Sequence, residues 1–311
     1  MKTRRIFFGM LALLSLAFSS RADSTEKKKI SAVPGTAVLL PLKGVTFHWV
    51  LPPALQPGET TKFKKASVFS VDSSGRPWLG DGKTGVTNPL QKMLFFLDLP
   101  YEDFTFSGAG DLIFFSKGTL GMAVPGKSPR FTKQNYPLLA LNPLVKVPLQ
   151  HARLFPAPHG LYLAGKAASG KHELFYLDAV EGSKAGLRKL LSSDKEITAV
   201  AGDGVETFAA MGKLVLRVNG GKTLKMSGIL EHPKAAVTGL AYDKGSGLFY
   251  ATSLGCGYID LERKKHLDFL FASDPKLFLT GGSLYIYISQ VQGVERLSGI
   301  KQFKKIFNSS H

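Results

Sequence analysis

The residues able to do chemistry in this chain are few and widely spaced. The 311 residues include one cysteine, Cys256, and seven histidines. A lone cysteine excludes an intramolecular disulfide, a cysteine-rich zinc cluster and a redox pair. Its setting, "SLGCGYIDL", has the β-branched and aromatic content of a strand, with "LGCG" read as the connection before it, so burial is expected for the thiol. Asp72, Asp203 and Asp243 each stand shortly before a glycine. An aspartate there bonds to the local backbone and closes a tight turn, so these three are expected to be turn residues rather than catalytic groups or metal ligands. No G-x-S-x-G nucleophile elbow is present. "GKAASGKHE" lacks phosphate-loop spacing, and "GSGLFY" and "GAGDL" are not followed by a helix as a dinucleotide fingerprint requires.

Six residues remain as candidate ligand-binding groups: Arg153, Lys171, His172, His232, Lys234 and Cys256. Arg153, Lys171 and Lys234 could together hold an anion. His151, His172 and His232 have the right side chains for zinc or copper but no ligand spacing, so ordinary surface histidines, and no metal or other cofactor, are expected. No catalytic residue is assigned.

The chain is strongly basic, with a formal net charge of +17. Its first residues, "MKTRRIFFGMLALLSLAFSSRADS", carry a cationic start, the 13-residue apolar run Ile6 to Phe18, and Ser20 and Ala22 at the positions a signal peptidase reads. The expectation is a secretory leader over 1–22, a basic segment over 23–34, and export to the periplasm or beyond the cell. Cleavage would leave +13, a charge that favours anionic partners. The lysines occur in short clusters such as Lys27-Lys28-Lys29 and Lys264-Lys265. No arginine-rich helix or aromatic-interleaved pattern points to nucleic acid. No segment after the leader is long and apolar enough for a transmembrane helix.

Repeated strands must position these groups. "VTGLAYD", "LFYATS", "YIDLE" and "LDFLFA" are four strand-like runs separated by glycine or charge. The same grammar recurs from Ile197 to Met226 and from Lys276 to Phe307, and more loosely in "SVFSVDSSGRPWLGD", "DFTFSGAGDLIFFSKG" and "ARLFPAPHGLYLAG". Gly75, Gly110, Gly160, Gly204, Gly247 and Gly282 precede the second strand of each unit, at separations of 35, 50, 44, 43 and 35. Six four-stranded units at this period predict an all-β fold, a β-propeller occupying 35–308, because blades bury one another's faces only when packed radially. "GTAVLLPLKGVTFHWVLPP" is expected to supply a strand that closes the ring on the last blade, a partial seventh blade being the alternative. Pro129 to Gln150 reads as an inserted loop and "IKQFKKIF" as the last outer strand, with a basic amphipathic helix as its alternative.

At Leu240, Asp243, Gly247, Leu248, Tyr250 and Ala251, and more weakly at Val71, Asp72, Gly75 and Leu79, the chain resembles the repeats of NHL and gluconolactonase-type propellers. The resemblance implies the six-bladed fold. It also implies that ligands meet the face gathering the second-to-third strand loops and the blade-to-blade connections. Enzymes of the gluconolactonase type hold a divalent metal at the channel mouth with a Glu, Asn residues and an Asp. No matching Glu-Gly-Pro start precedes the first repeat here, Glu59 falls in the loop-like "PGETTKFKK", and the Asn-Arg ending of NHL repeats is absent at "SLGCG". The expected function is therefore a non-catalytic, exported binding propeller that recognises a protein, peptide or anionic polymer. A metal-dependent lactonase and an envelope assembly factor touching a membrane surface are the alternatives.

Overall fold

The computed structural model describes residues 38–40, 42–52, 66–125, 137–178, 186–219, 225–232 and 234–309. The expected leader, the segment 23–34 and Glu59 lie outside them. Two strands, β1 (Val38–Leu39) and β2 (Thr46–Leu51), precede the repeats. The first blade is β3 (Val68–Val71), β4 (Pro77–Gly80), β5 (Gly85–Asn88) and β6 (Met93–Leu97). The second is β7 (Asp103–Phe106), β8 (Leu112–Ser116), β9 (Thr119–Pro125) and β10 (Leu138–Lys146). The third is β11 (Leu149–Ala157), β12 (Gly160–Ala167), β13 (His172–Asp178) and β14 (Leu187–Ser193). The fourth is β15 (Ala199–Gly202), β16 (Thr207–Met211), β17 (Leu214–Asn219) and β18 (Lys225–Glu231). The fifth is β19 (Val237–Asp243), β20 (Gly247–Thr252), β21 (Gly255–Asp260) and β22 (Lys265–Phe271). The sixth has three consecutive strands, β23 (Lys276–Thr280), β24 (Ser283–Ile288) and β25 (Gly293–Ser298).

The sixth blade takes its fourth strand from the N-terminal side of the repeats. β2 pairs antiparallel with β25, from Thr46 opposite Ser298 to Leu51 opposite Val294. The ring is thus closed by the segment expected to close it, with six blades and no partial seventh among the described residues. This closure covers an edge that would otherwise expose unpaired backbone groups. Other outer edges are also covered. β1 adds outside β22, and β10 runs parallel to β6, Leu138 opposite Phe96, joining the first two blades along their rims.

Two expectations fail here. Within Pro129 to Gln150, residues 138–146 form β10, the outermost strand of the second blade, rather than an inserted loop. The tail is not an outer strand either, since β2 already occupies that position. Gln302–Ser309 forms helix α1 instead. Phe303 anchors α1 against Phe249, Tyr258 and Phe269, with ring centroids 5.0–5.5 Å apart.

The core lies between blades. Strands in the middle of a blade are covered on both faces, which is why they read as near-continuous apolar runs. All of Thr207–Met211 and all of Gly255–Asp260 are buried. Tyr162, Phe208, Val215 and Tyr250 belong to one inter-blade cluster, and Phe249, Phe269, Leu284 and Ile286 to the next. The turn glycines behave as the repeat implies. Gly75 and Gly247, for instance, have φ of +77° and +110°, a left-handed conformation that a side chain would strain. Asp72 accepts hydrogen bonds from the Ser74 and Arg76 backbone N–H groups, the Arg76 guanidinium and the Trp78 indole. Asp203 accepts them from the Val205 and Glu206 N–H groups. Asp243 closes its turn through its backbone carbonyl, which accepts from Ser246 N–H at 3.0 Å.

Candidate functional site at the channel mouth

The innermost strands β3, β7, β11, β15, β19 and β23 surround a channel with a cavity of ≈ 580 Å³. Antiparallel order within each blade fixes what gathers at each end. The turns after the innermost strands, carrying Asp72, Asp203 and Asp243, share one end. The starts of those strands share the other with the second-to-third strand turns and the blade-to-blade connections. That second end is called the mouth below.

The column of residues opening the inner strands sets the chemistry of the mouth. Ser67, Asp103, Arg153, Thr238 and Lys276 all line the cavity. Arg153 on the third blade and Lys276 on the sixth stand on opposite arcs of the ring. The Arg153 guanidinium is exposed, lies 5.2 Å from the Phe155 ring centroid, and donates to the Thr198 carbonyl across the blade boundary at 2.5 Å. Lys276 Nζ donates to the Ser67 carbonyl across the boundary between the sixth and first blades. Each cation thus donates to a backbone carbonyl of the next blade, which helps fix its direction.

Asp103 sits on the arc between them. Its carboxylate accepts from Leu154 N–H at 2.7 Å and from its neighbour Phe104 N–H at 2.9 Å. Burial pushes its pKa up to about 6, against the downward pull of the Leu154 N–H, Arg153, the Phe104 N–H and Lys276. At the rim Glu102 is engaged by the His151 ring at 3.1 Å and by the Ala152 and Lys117 N–H groups at 3.3 Å. Outside this ring the second-to-third strand turns of the first four blades carry Lys83, Lys117, Lys171 and Lys213, all exposed. Among the described residues the mouth is a cationic funnel with two carboxyls, Glu102 and Asp103, on one arc of its wall.

Of the six residues expected to bind a ligand, Arg153 alone lines the cavity. Lys171 and Lys234 are exposed at the same end, on the β12–β13 turn and the β18–β19 connection. His172 opens β13 and is half-buried. His232 is 3% exposed. Cys256 is not in a connection: it lies within β21 at 1% exposure, and burial drives its thiol pKa well up. The sequence reading missed Asp103 and Lys276. The signal for both was positional, since each is the first residue of an inner strand.

A second polar cluster lies off the channel, between the fourth and fifth blades. Ligand-type atoms of His232, His266 and Asp268 lie within 4.8 Å of one another. The tautomer of His232 argues against an ion cage. Its Nδ1 accepts from Ala235 N–H at 3.1 Å, so in the neutral ring the proton sits on Nε2, directed towards Asp268 Oδ1 3.9 Å away. A metal-bound histidine has the reverse arrangement, its second nitrogen donating a proton. Asp268 also accepts from the Tyr250 hydroxyl. Burial lowers the His232 pKa, with Asp268 pulling the other way. The Tyr250 hydroxyl and the Ala235 N–H thus already engage Asp268 and His232 Nδ1.

The divalent metal implied by the gluconolactonase resemblance is a hard cation requiring several converging oxygen ligands. Among the described residues the mouth end of the cavity offers two carboxylates, Glu102 and Asp103, each already accepting backbone N–H bonds beside Arg153 and Lys276, and that donor set does not fit such an ion.

No family model matches this chain, and no curated protein matches it. Solved structures do. A gluconolactonase from Xanthomonas campestris aligns with a TM-score of 0.58 at 10% identity, covering 86% of this chain and 97% of its own. A putative gluconolactonase aligns at 0.55 with 15% identity, covering 84% and 93%. Regucalcin, a calcium-binding protein from Agrobacterium tumefaciens, aligns at 0.52 with 13% identity, covering 75% and 89%. At such identities the likeness concerns the backbone architecture alone. The chain has a β-propeller fold, the backbone architecture it shares with these structures.

Proposed function

We propose that this chain is an exported, non-catalytic binding propeller whose channel mouth takes a carboxylate- or phosphate-bearing group of a peptide or polymer. The observation carrying this reading is the pairing of Arg153 and Lys276 across the mouth, each oriented by a neighbouring blade's carbonyl. An anion beside the exposed Arg153 guanidinium exchanges solvent for directed N–H donors, and charge-assisted bonds of this kind are about twice as strong as neutral ones. The lysines on four consecutive turns extend the positive field outward, which suits a polymer longer than the cavity. The leader-like N-terminus supports export.

Titration with polyglutamate at low salt tests the reading. The protein should bind, the affinity should fall as salt is raised, and Arg153→Ala combined with Lys276→Ala should weaken binding at least about tenfold, the loss of one charge-assisted contact. Equal binding by the double variant would sink the proposal.

A further inference from the structure

The end of the ring opposite the mouth has its own charge distribution. Beneath the fifth and sixth blades, Lys43, Lys244, Lys264, Lys265, Lys301 and Lys305 are all exposed. They come from the β1–β2 turn, the β19–β20 turn, the β21–β22 turn with the start of β22, and α1 with the residue before it. Contacts around α1 draw these segments into one patch. Lys304 Nζ pairs with Glu262 of the β21–β22 turn at 3.3 Å. Lys301 Cε lies 3.6 Å from where a Cβ on Gly245, in the β19–β20 turn, would stand. Gln302 Cγ lies 3.2 Å from the corresponding point on Gly44, in the β1–β2 turn. Lys43 and Lys305 line one shallow cavity between that turn and the helix.

The acids of this region do little to offset the lysines. Glu262 holds Lys304, and Asp260 is buried, accepting the Glu262 and Arg263 N–H groups. Asp243 is half-buried at the channel side of the patch. Elsewhere the same end of the ring differs. Beneath the second to fourth blades the described residues include Asp111, Asp178, Asp203 and Glu206 against Arg188, Arg217 and Lys225, charges that nearly cancel. The positive excess is therefore concentrated on one arc.

We infer that the ring docks on an anionic lipid surface through the lysine patch beneath its fifth and sixth blades. This does not depend on the proposed function, because the mouth lies at the other end and faces away. The chemistry of the patch favours lipid over a single bound chain. Its cations are lysines, compact and strongly hydrated charges on flexible stems, which suit a diffuse anionic surface better than shape-specific recognition. They are spread over separate turns around α1 instead of following one strand or groove, so they match many headgroups at once. Phe303, the buried ring of α1, is packed into the fifth blade. The attraction is thus one of charge, worth about 1 kcal/mol per lysine near the surface, and it weakens with salt.

Co-sedimentation of the full chain with vesicles tests this. At about 50 mM salt the protein should bind phosphatidylcholine vesicles containing about one-third phosphatidylglycerol more tightly than pure phosphatidylcholine, and the difference should vanish by about 0.5 M salt. Lys43→Gln, Lys301→Gln and Lys305→Gln together should weaken binding to the anionic vesicles about a hundredfold, the loss of three near-surface charges. Removing three exposed charges outside the patch, by Lys92→Gln, Lys146→Gln and Lys195→Gln, should leave it within about threefold. The apolar N-terminal run is common to all these proteins, so the difference between the two triple variants reports the patch and not net charge or the leader. Equal losses in the two triple variants, or no preference for the anionic vesicles, overturn the inference. Heparin is titrated alongside. Heparin binding that the first triple variant abolishes, with the unaltered chain leaving vesicles unbound, would assign the patch to a soluble polyanion and overturn lipid docking.

Discussion

The channel mouth and the cluster between the fourth and fifth blades are built from the same kinds of residue and do opposite things. At the mouth Arg153 and Lys276 line the cavity and each donates to a carbonyl of the neighbouring blade, and the Arg153 guanidinium is exposed there. Between the blades, the Tyr250 hydroxyl donates to Asp268 and His232 Nδ1 accepts the Ala235 N–H, with His232 Nε2 3.9 Å from Asp268 Oδ1. The first arrangement leaves electrostatic free energy for a partner. The second puts it into holding two blades together, since a buried polar network stabilises only when its members are paired. Titratable residues in proximity therefore do not define a site; what matters is where their free donors and lone pairs point.

Several substitutions would break or sharpen this contrast. The largest effect is expected at Gly257, whose added Cβ would overlap the Tyr250 ring and hydroxyl. Gly257→Ala should cost about 3 kcal/mol in denaturant unfolding, as overpacking in a tight core does. Removing the hydroxyl that Asp268 receives, by Tyr250→Phe, should cost about 2 kcal/mol, within the range for stranding a polar partner. A value near zero would mean that solvent already satisfies Asp268.

At the mouth, Arg153→Ala alone should cut anion affinity several-fold to about tenfold (about 1.4 kcal/mol) while leaving unfolding free energy within about 0.5 kcal/mol, as for other exposed positions. A large loss of stability with unchanged affinity would make it a structural residue. Acidification should distinguish the regions by sign. Asp103 has a folded pKa of about 6 against an ordinary 3.8, so the folded state binds its proton more tightly. Its contribution therefore makes the fold less stable as pH rises from 3.8 to 6, and is level above that. His232 has a lowered pKa, so the unfolded state binds the proton more tightly, and its contribution is lost as pH falls below the ordinary 6.5. Stability-versus-pH curves for Asp103→Asn and His232→Gln, each subtracted from the unaltered protein, should slope in opposite directions. The smallest effect is expected from zinc, which should not raise the melting temperature. A rise of several degrees at micromolar zinc would show that His232 switches tautomer and that the inter-blade cluster is an ion site.

Much of the ring could be read from residues alone. The turn glycines gave the period, the strand runs gave four elements per unit, and Val45 to Val50 read correctly as part of the closing segment. Two errors have physical causes. "LLALNPLVK" contains proline and leucine in a proportion typical of loops, yet an outermost strand tolerates Pro143 because one of its edges needs no N–H donor there. "IKQFKKIF" spaces its apolar residues at 300, 303, 306 and 307, a helical period that counting it as the sixth unit's last strand overrode; β2 fills the outer position, and the tail coils as α1 and buries Phe303. For the site, Arg153 was legible as a cation entering a blade, while Asp103 and Lys276 were hidden because neither belongs to a local motif. Cys256 read as strand-like but was placed in a ligand-facing loop, since a Gly-Cys-Gly sequence does not reveal that the turn ends at Leu254.

The sequence by itself determined the local alternation of strand and turn, the number of units and the basic charge, because these depend on neighbours within a few residues. Only the tertiary structure decided which charges face one another. Arg153 and Lys276 are separated by more than a hundred positions, and Asp103 comes between them only because ring closure brings the sixth blade beside the first. The direction of each side chain, into the cavity or into an inter-blade core, follows from register and closure, which are properties of the whole ring.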